Sequence, residues 1–159
     1  MNIPYSRFTE KKPLGISGVA RLKNADDFLE KVVEGHLVLC DEIILVDNMS
    51  EDKTKEICLN LQRKYPNKIK FFEYQYEVFP PIYNDNAKMQ AEENSIHSLA
   101  YYYNWSFSKA TYKYVMKLDD DNLLVEERAK ELRNFVLTKQ PQKYITYRGV
   151  NIFKRKKEI

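Results

Sequence analysis

The sequence predicts an α/β fold: three αβα layers around a Rossmann-like, mostly parallel sheet that is truncated at its C-terminal side. Strand-like and helix-like segments alternate along the chain, which is the pattern of a layered α/β sheet. The segment Glu42–Val46 is continuously apolar after its first residue, as in a strand buried on both faces. Its 159 residues, 43% hydrophobic and 31% charged, suffice for one globular domain. We expect that domain over 1–159, with an N-terminal extension over 1–14 and a basic tail over 154–159.

The first half of the chain predicts two strand–helix units and a third strand. The strand Ile16–Arg21 precedes Asn24, which we expect to cap the first helix. Ser50 is expected to begin the second helix, because the acids that follow it suit a helix N-terminus. Pro66 ends that helix, and a third strand follows over 69–76. The inward stripes of the two helices are Phe28, Leu29, Val32 and Val33, then Ile57, Leu61 and Tyr65.

The second half predicts two further helices and strands after an irregular segment. Residues 77–94 have no regular period, so this segment is either a lid that orders over a ligand or a plain mobile connection. A helix, the strand Tyr112–Leu118, another helix and a last strand over 143–153 follow. The predicted inward positions are Ile96, Leu99, Ala100, Tyr103, Phe107 and Ala110 in the first of these helices, and Ala129, Leu132 and Val136 in the second.

Three consecutive aspartates follow the fourth predicted strand, at Asp119, Asp120 and Asp121. Neighbouring carboxylates repel one another, and a hard divalent cation shared with substrate phosphates offsets that cost. Ligands of open α/β sheets also lie at the carboxyl ends of the strands. The alternative is an acidic turn in which Asn122 caps the next helix.

A second polar segment, Asp47-Asn48-Met49-Ser50, follows the buried second strand. An acid and an amide there can bind the ring of a nucleobase or the hydroxyls of a ribose. The alternative is a locally hydrogen-bonded turn with Ser50 as a helix cap. Because both polar segments end strands at the same edge of one sheet, together they favour a site for a nucleoside diphosphate.

Three segments, in the same order, resemble motifs of family 2 glycosyltransferases, which have the GT-A fold. Residues 42–54 (EIILVDNMSEDKT) resemble the segment that the family writes E-I-V-V-V-D-D-G-S-T-D-G-T. Residues 20–24 (ARLKN) resemble its first-strand R-x-K-N-E, and residues 104–121 resemble the segment that ends in D-x-D. The resemblance covers about residues 15 to 153.

The resemblance implies roles for individual residues and a divalent cofactor, Mn²⁺ or Mg²⁺. Asp47 and Asn48 would recognise a uracil-type base and its ribose, with Arg21 near the base. Asp121 would bind the metal that bridges the diphosphate and supports its departure. Asp119 would contact the ribose or the metal's water. The implied nucleotide-binding residues are thus Arg21, Asp47, Asn48, Asp119 and Asp120, and the implied metal ligands are Asp119 and Asp121.

The chain departs from the family pattern at two positions, and one role stays unassigned. Tyr103 stands where the family usually has arginine, and Met49 replaces the glycine of the D-G-S turn. The family's catalytic base and most of its acceptor site lie beyond the D-x-D strand, so we assign no catalytic residue. We therefore expect donor binding with poor transfer from this stretch alone.

The implied activity is that of an inverting glycosyltransferase of cell-surface polysaccharide biosynthesis. The donor would be a nucleotide-diphospho-sugar, preferably a UDP-sugar, and its sugar would be transferred to a glycan or lipid-linked acceptor. The alternative is a non-catalytic or truncated nucleotide-sugar-binding module that acts with a partner chain. Nucleic acid is not an expected partner, because the chain lacks the aromatic pattern and concentrated basic face of RNA-binding modules.

The termini and cysteines predict a cytoplasmic protein. No signal peptide or membrane span is visible, and Cys40 and Cys58 have no metal-ligand spacing, so we expect both to be reduced and structural. The basic tail is either solvated or weakly attracted to the inner face of the plasma membrane. His36 and His97 receive no role.

Overall fold

The computed structural model describes residues 3–79, 95–142 and 144–146. Four strands form one sheet in the order β3-β2-β1-β4, and each neighbouring pair is parallel. The strands are β1 Ile16–Leu22, β2 Glu42–Asp47, β3 Ile69–Glu73 and β4 Tyr114–Leu118. The helices are α1 Leu29–His36, α2 Thr54–Lys64, α3 Leu99–Phe107 and α4 Glu126–Lys139, with a 3-10 helix at Tyr5–Phe8. The predicted parallel α/β sheet is confirmed.

Helices cover both faces of the sheet, which gives the three predicted layers. Alternate strand residues point to opposite faces, and each face has its own hydrophobic core. Helices α1, α2 and α4 pack on one face, where the core includes Leu22, Leu45, Leu29, Leu61 and Val136. Helix α3 packs on the other, where the core includes Val19, Val46, Tyr74, Tyr102 and Trp105.

The central strands explain the continuous apolar run in the sequence. All six residues of β2 are buried, because β2 has a strand on each side and helices on both faces. Strand β4, at the edge, alternates instead: Val115 and Lys117 are exposed, whereas Leu118 is buried.

Two predicted helix starts are wrong by four or five residues. Helix α1 begins at Leu29 and α2 at Thr54, and neither has a side-chain cap. Asn24 and Ser50 lie in the loops before these helices, and each side chain accepts a hydrogen bond from the other loop. Ser50 Oγ accepts from the backbone amide of Asn24 at 2.9 Å, and Asn24 Oδ1 accepts from the backbone amide of Glu51 at 2.9 Å. Because these side chains bind the neighbouring loop, they do not cap the helices, although both residue types are common helix caps.

The inward face predicted for α3 is confirmed in part, since Leu99, Phe107 and Ala110 contact the α3-side core. Its buried residues are Tyr102, Trp105 and Ser106, whereas Ala100 is exposed and Tyr103 is half-buried. Ser106 is accommodated because its hydroxyl donates to the Tyr102 carbonyl at 2.7 Å. Aromatic residues occur all around this helix, so apolar spacing does not identify its buried face. For α4 the predicted inward positions are confirmed, with Ala129 and Val136 buried and Leu132 packed against them.

Two predicted strand boundaries differ from the structure, and other predicted elements lie outside the described residues. Strand β3 ends at Glu73 rather than 76, and β4 begins at Tyr114 rather than 112. Of the predicted last strand over 143–153, the structure describes only residues 144–146, which have no regular secondary structure. Residues 80–94, most of the predicted lid, are not described.

A buried carboxylate anchors the amino edge of the sheet. Glu42 Oε1 accepts from the Ser17 hydroxyl at 2.6 Å and from the Thr111 amide at 2.6 Å, while Oε2 pairs with Lys70 at 2.6 Å. Burial raises the pKa of Glu42, but these hydrogen bonds outweigh it and leave the pKa below its ordinary value. The charged form of Glu42 therefore joins β1, β2 and the start of β4.

The cysteines and His36 belong to the core. Cys40 and Cys58 are free and buried, as predicted, and burial raises the pKa of each thiol to about 12. His36 is also buried, and burial lowers its pKa, while its Nδ1 lies 2.7 Å from the Val32 carbonyl oxygen. All three are packing residues.

Candidate functional site at the carboxyl edge of the sheet

The strand order defines a crevice at the carboxyl edge. The chain runs from β1 through β2 to β3, then returns to place β4 on the other side of β1. Ligands of open α/β sheets bind at such a reversal of strand order. Asp47 pairs with Leu22 at the end of β1, and Leu118 pairs with Ala20 just below it. The two predicted polar segments therefore flank the end of β1.

Asp47 ends β2 as a buried carboxylate. Its Oδ2 accepts a long hydrogen bond of 3.4 Å from the Ser50 amide. Its Oδ1 is inaccessible and has no hydrogen-bond partner within the described parts of the chain. A buried acceptor without a partner costs about 1–3 kcal/mol, so the fold bears a cost that a donor from a ligand would offset.

The side chain of Asn48 has a structural role. Its Nδ2 donates to the carbonyl oxygens of Tyr74 at 2.9 Å and Tyr76 at 2.8 Å, and so holds the segment after β3 against the end of β2. Both amide hydrogens are thereby used, which leaves Oδ1 as the atom suited to a ligand. The contact of Asn48 with a base stays a prediction, in which Oδ1 would accept a hydrogen bond from the base.

Arg21 lies near the end of β1 with its guanidinium over an aromatic ring. Its Cζ is 3.4 Å from the ring centroid of Tyr103 and 5.4 Å from that of Phe107. Its Nη1 is inaccessible, and no residue in the described ranges accepts a hydrogen bond from it. Tyr103, where the resembling family usually has arginine, therefore positions a cation instead of supplying one. The sequence alone gave no signal for this stacking.

The acidic segment after β4 forms a turn at the surface. Asp119 pairs with Lys117, at 2.8 Å from Oδ1, and its carbonyl oxygen accepts from the Asn122 amide at 3.4 Å. Asp120 is half-buried and Asp121 is exposed. Of the alternative interpretation, the acidic turn is present, but Asn122 does not cap a helix, because α4 begins only at Glu126, with Val125 before it.

The carboxylates of Asp119 and Asp121 suit a hard divalent cation. Oxygen ligands are what Mg²⁺ and Mn²⁺ prefer, and such ions often take only one or two carboxylates, with phosphate and water completing the set. No group of three or more His, Cys, Asp or Glu residues in the described parts of the chain is arranged to hold a metal by itself. A metal held by Asp119 and Asp121 together with a substrate diphosphate therefore stays a prediction.

Met49 has a backbone conformation that glycine adopts without strain. Its φ of 55° lies in the left-handed region, and its side chain is 50% exposed. The turn after β2 therefore carries strain of about 1–2 kcal/mol, because Met49 has a Cβ.

His97 lies beyond β3, next to aromatic rings. Its Nδ1 is 2.7 Å from the Glu77 carbonyl oxygen, and its ring stacks on Phe79 with centroids 5.5 Å apart. These contacts fix the ring.

The fold is similar to that of a solved glycosyltransferase, TarS from S. aureus, whose residues 1–349 were crystallised in complex with UDP. The match has a TM-score of 0.51 at 18% sequence identity, and it covers 87% of this chain and 38% of the TarS chain. This chain thus spans less than half the length of TarS. No family model matches the sequence, and no curated protein matches it significantly. At this level of identity the match shows the fold, which is α/β and Rossmann-like.

No helix in the described ranges is long and apolar enough to cross a membrane.

Proposed function

We propose that this chain is the nucleotide-sugar-binding part of a GT-A glycosyltransferase, and that its donor is a UDP-sugar bound with Mn²⁺ or Mg²⁺. The observation that carries the proposal is a pair of buried, unpartnered polar atoms at the carboxyl ends of neighbouring strands: Arg21 Nη1 and Asp47 Oδ1. One is a charged donor and the other a charged acceptor. The side chain of Arg21 leaves β1 on the α3 face, whereas Asp47 pairs with Leu22 and lies on the opposite face. A ligand that extends across the end of the sheet, with an acceptor for Arg21 and a donor for Asp47, would offset both desolvation costs.

A uracil ring has the donor that Asp47 requires, because its N–H lies between two carbonyl groups. Asp47 would accept from the ring N–H, and Asn48 Oδ1 and Arg21 would contact neighbouring groups of the nucleoside. The similarity to a structure that holds UDP supports this assignment. Cytosine has an acceptor nitrogen at the same ring position, and this nitrogen would be repelled by the Asp47 carboxylate.

The diphosphate would lie toward β4, where Asp119 and Asp121 would hold the metal. A bound divalent cation would neutralise charge on the departing nucleoside diphosphate, as a Lewis acid does. Asp119 would have to exchange its ion pair with Lys117 for the metal, which frees Lys117 to face phosphate oxygens.

The finer assignment is to inverting transfer of family 2 type, with a glycan or lipid-linked acceptor. Direct displacement requires a general base at the acceptor hydroxyl. Two of the acids in α4 are engaged elsewhere: Glu126 pairs with Lys130 at 2.5 Å and Glu131 with Arg128 at 2.7 Å. This favours the second candidate, a binding module whose base comes from outside the described residues.

Calorimetric titration with UDP, CDP, GDP and TDP sugars, with and without Mn²⁺, tests the proposal. We expect UDP-sugar to bind tightly only with Mn²⁺. Asp121→Ala should remove the Mn²⁺ dependence, while Asp47→Ala should weaken uridine and UDP about 10–100-fold and keep that dependence, as expected for loss of one charged hydrogen bond. Asp27→Ala, an exposed acid before α1, is the matched control. Unchanged Mn²⁺-dependent binding by Asp121→Ala would remove the metal assignment.

A further inference from the structure

The N-terminal 3-10 helix exposes two aromatic rings side by side. Tyr5 is 59% and Phe8 44% exposed, and their ring centroids are 6.2 Å apart. A 3-10 helix has three residues per turn, so side chains three apart lie on the same side. Their neighbour Ile3 is buried in the α3-side core, so the segment is fixed to the domain while the two rings face outward.

Cations crowd together beside these rings. Arg7 Nη2 and Lys12 Nζ both donate to the Ala110 carbonyl oxygen, at 3.3 and 2.8 Å, and Lys109 precedes that residue. Burial and the charge of Arg7 lower the pKa of both Lys12 and Lys109. Glu10 pairs with Arg7 at 3.5 Å and offsets one charge. The exposed Lys11 adds a further cation, so the cluster carries excess positive charge.

We propose that this aromatic-basic face, formed by Tyr5, Arg7, Phe8, Lys11, Lys12 and Lys109, docks the protein on an anionic lipid bilayer. Juxtaposed cations attract acidic headgroups, and aromatic rings favour the headgroup boundary, where one side is apolar and the other wet. A free phosphate would engage the cations alone and leave the two exposed rings unexplained.

The cations of the aromatic-basic face lie away from the proposed nucleotide site. Its cations gather around Ala110, where the chain leaves α3 and enters β4 at the amino edge of the sheet. The nucleotide site lies at the opposite edge. The seven residues of β1 separate the two edges by roughly 20 Å. Because the cations and the nucleotide site lie at opposite edges, UDP with Mn²⁺ should not displace the protein from vesicles.

Co-sedimentation with vesicles tests the inference. The full chain should bind vesicles of mixed phosphatidylcholine and phosphatidylglycerol but not phosphatidylcholine alone. Tyr5→Ser combined with Phe8→Ser should weaken binding at least about tenfold, because both rings leave the interface. Lys11→Gln should weaken it about fivefold. These side chains are exposed, so the variants should stay folded.

Matched controls separate this face from other surfaces. Phe28→Ser removes a ring that is 52% exposed beside α1, and should leave vesicle binding unchanged. Replacement of the four basic residues at 154–157 by serine should leave most of the binding. Trp105 is the single tryptophan, and the Nζ atom of Lys109 lies 4.1 Å from its ring centroid. A change in Trp105 fluorescence emission would therefore indicate binding at the aromatic-basic face.

Three results would overturn the inference. The first is a failure of the wild-type chain to bind the anionic vesicles. The second is binding that survives the Tyr5/Phe8 double variant but disappears with the tail variant. The third is complete displacement by inorganic phosphate with the same change in Trp105 emission, which would indicate a site for free anions. None of these depends on nucleotide binding.

Discussion

Arg21 and Asp47 bring opposite charges to the same edge of the sheet without pairing with each other. Their buried, unpartnered atoms are unusual, because native proteins pair nearly all buried polar groups. Asp47 was identified in the sequence through its position after an apolar strand, and Arg21 through the resemblance to family 2 glycosyltransferases. The sequence could not identify Tyr103 as the ring beneath Arg21, since that contact joins residues from β1 and α3 that are far apart in the chain.

Met49 gives a prediction for a single residue. In Met49→Gly the relief of left-handed strain, about 1–2 kcal/mol, should offset the extra freedom of glycine in the unfolded chain, about 0.5–1 kcal/mol. The glycine variant should therefore be as stable as the wild type or up to about 1 kcal/mol more stable. Met49→Val should be less stable, because a β-branched residue tolerates this conformation poorly. Urea unfolding measures both, and a glycine variant less stable than the valine variant would contradict the account.

At the scale of elements, the loops before α1 and α2 hold each other. Thr54 Oγ1 accepts from the Ala25 amide at 2.7 Å, and Asp52 Oδ2 accepts from the Asp26 amide at 3.1 Å. These bonds fix the loop that follows Asp47. The spacing of apolar residues predicted both helices. It could not predict the first residues of α1 and α2, which depend on these bonds between the two loops.

Removal of one of these contacts should loosen both loops. Thr54→Val keeps the shape of a fully buried side chain but leaves the Ala25 amide without its acceptor, which should cost about 1–3 kcal/mol. Thr138→Val, in the exposed part of α4, is the matched control and should be nearly neutral. Thermal unfolding compares the two. Equal stability of both variants would show that the loops are held by other contacts.

For the whole molecule, the arrangement of the sheet was the most predictable feature. Continuous apolar strands separated by amphipathic helices leave few alternatives to a parallel α/β sheet, and the positions that follow β2 and β4 then meet at one edge. The sequence could not predict which polar atoms at that edge would be used internally. Asn48 proved to hold the segment after β3, and Asp119 to pair with Lys117.

The network around Glu42 predicts how stability depends on pH. The hydrogen bonds to Glu42 outweigh its burial and place its folded pKa below the ordinary 4.5. Its contribution is therefore fully present above that value and is lost as the pH falls through the lower, folded pKa. Glu42→Gln should lower the unfolding free energy by about 1–3 kcal/mol near neutral pH and flatten the acid limb of the stability profile. Urea unfolding from pH 7 down to 3 checks this, with the exposed Glu73→Gln as control; an unchanged acid limb would contradict it.

The central claim is that a nucleotide binds where β1, β2 and β4 end. Hydrogen exchange measured with and without UDP and Mn²⁺ tests it most directly. We predict slower exchange in the peptides that cover residues 21–24, 47–50 and 119–122, and no change over 110–113 at the amino edge. Protection confined to other regions, or no protection at saturating UDP and Mn²⁺, would contradict the claim.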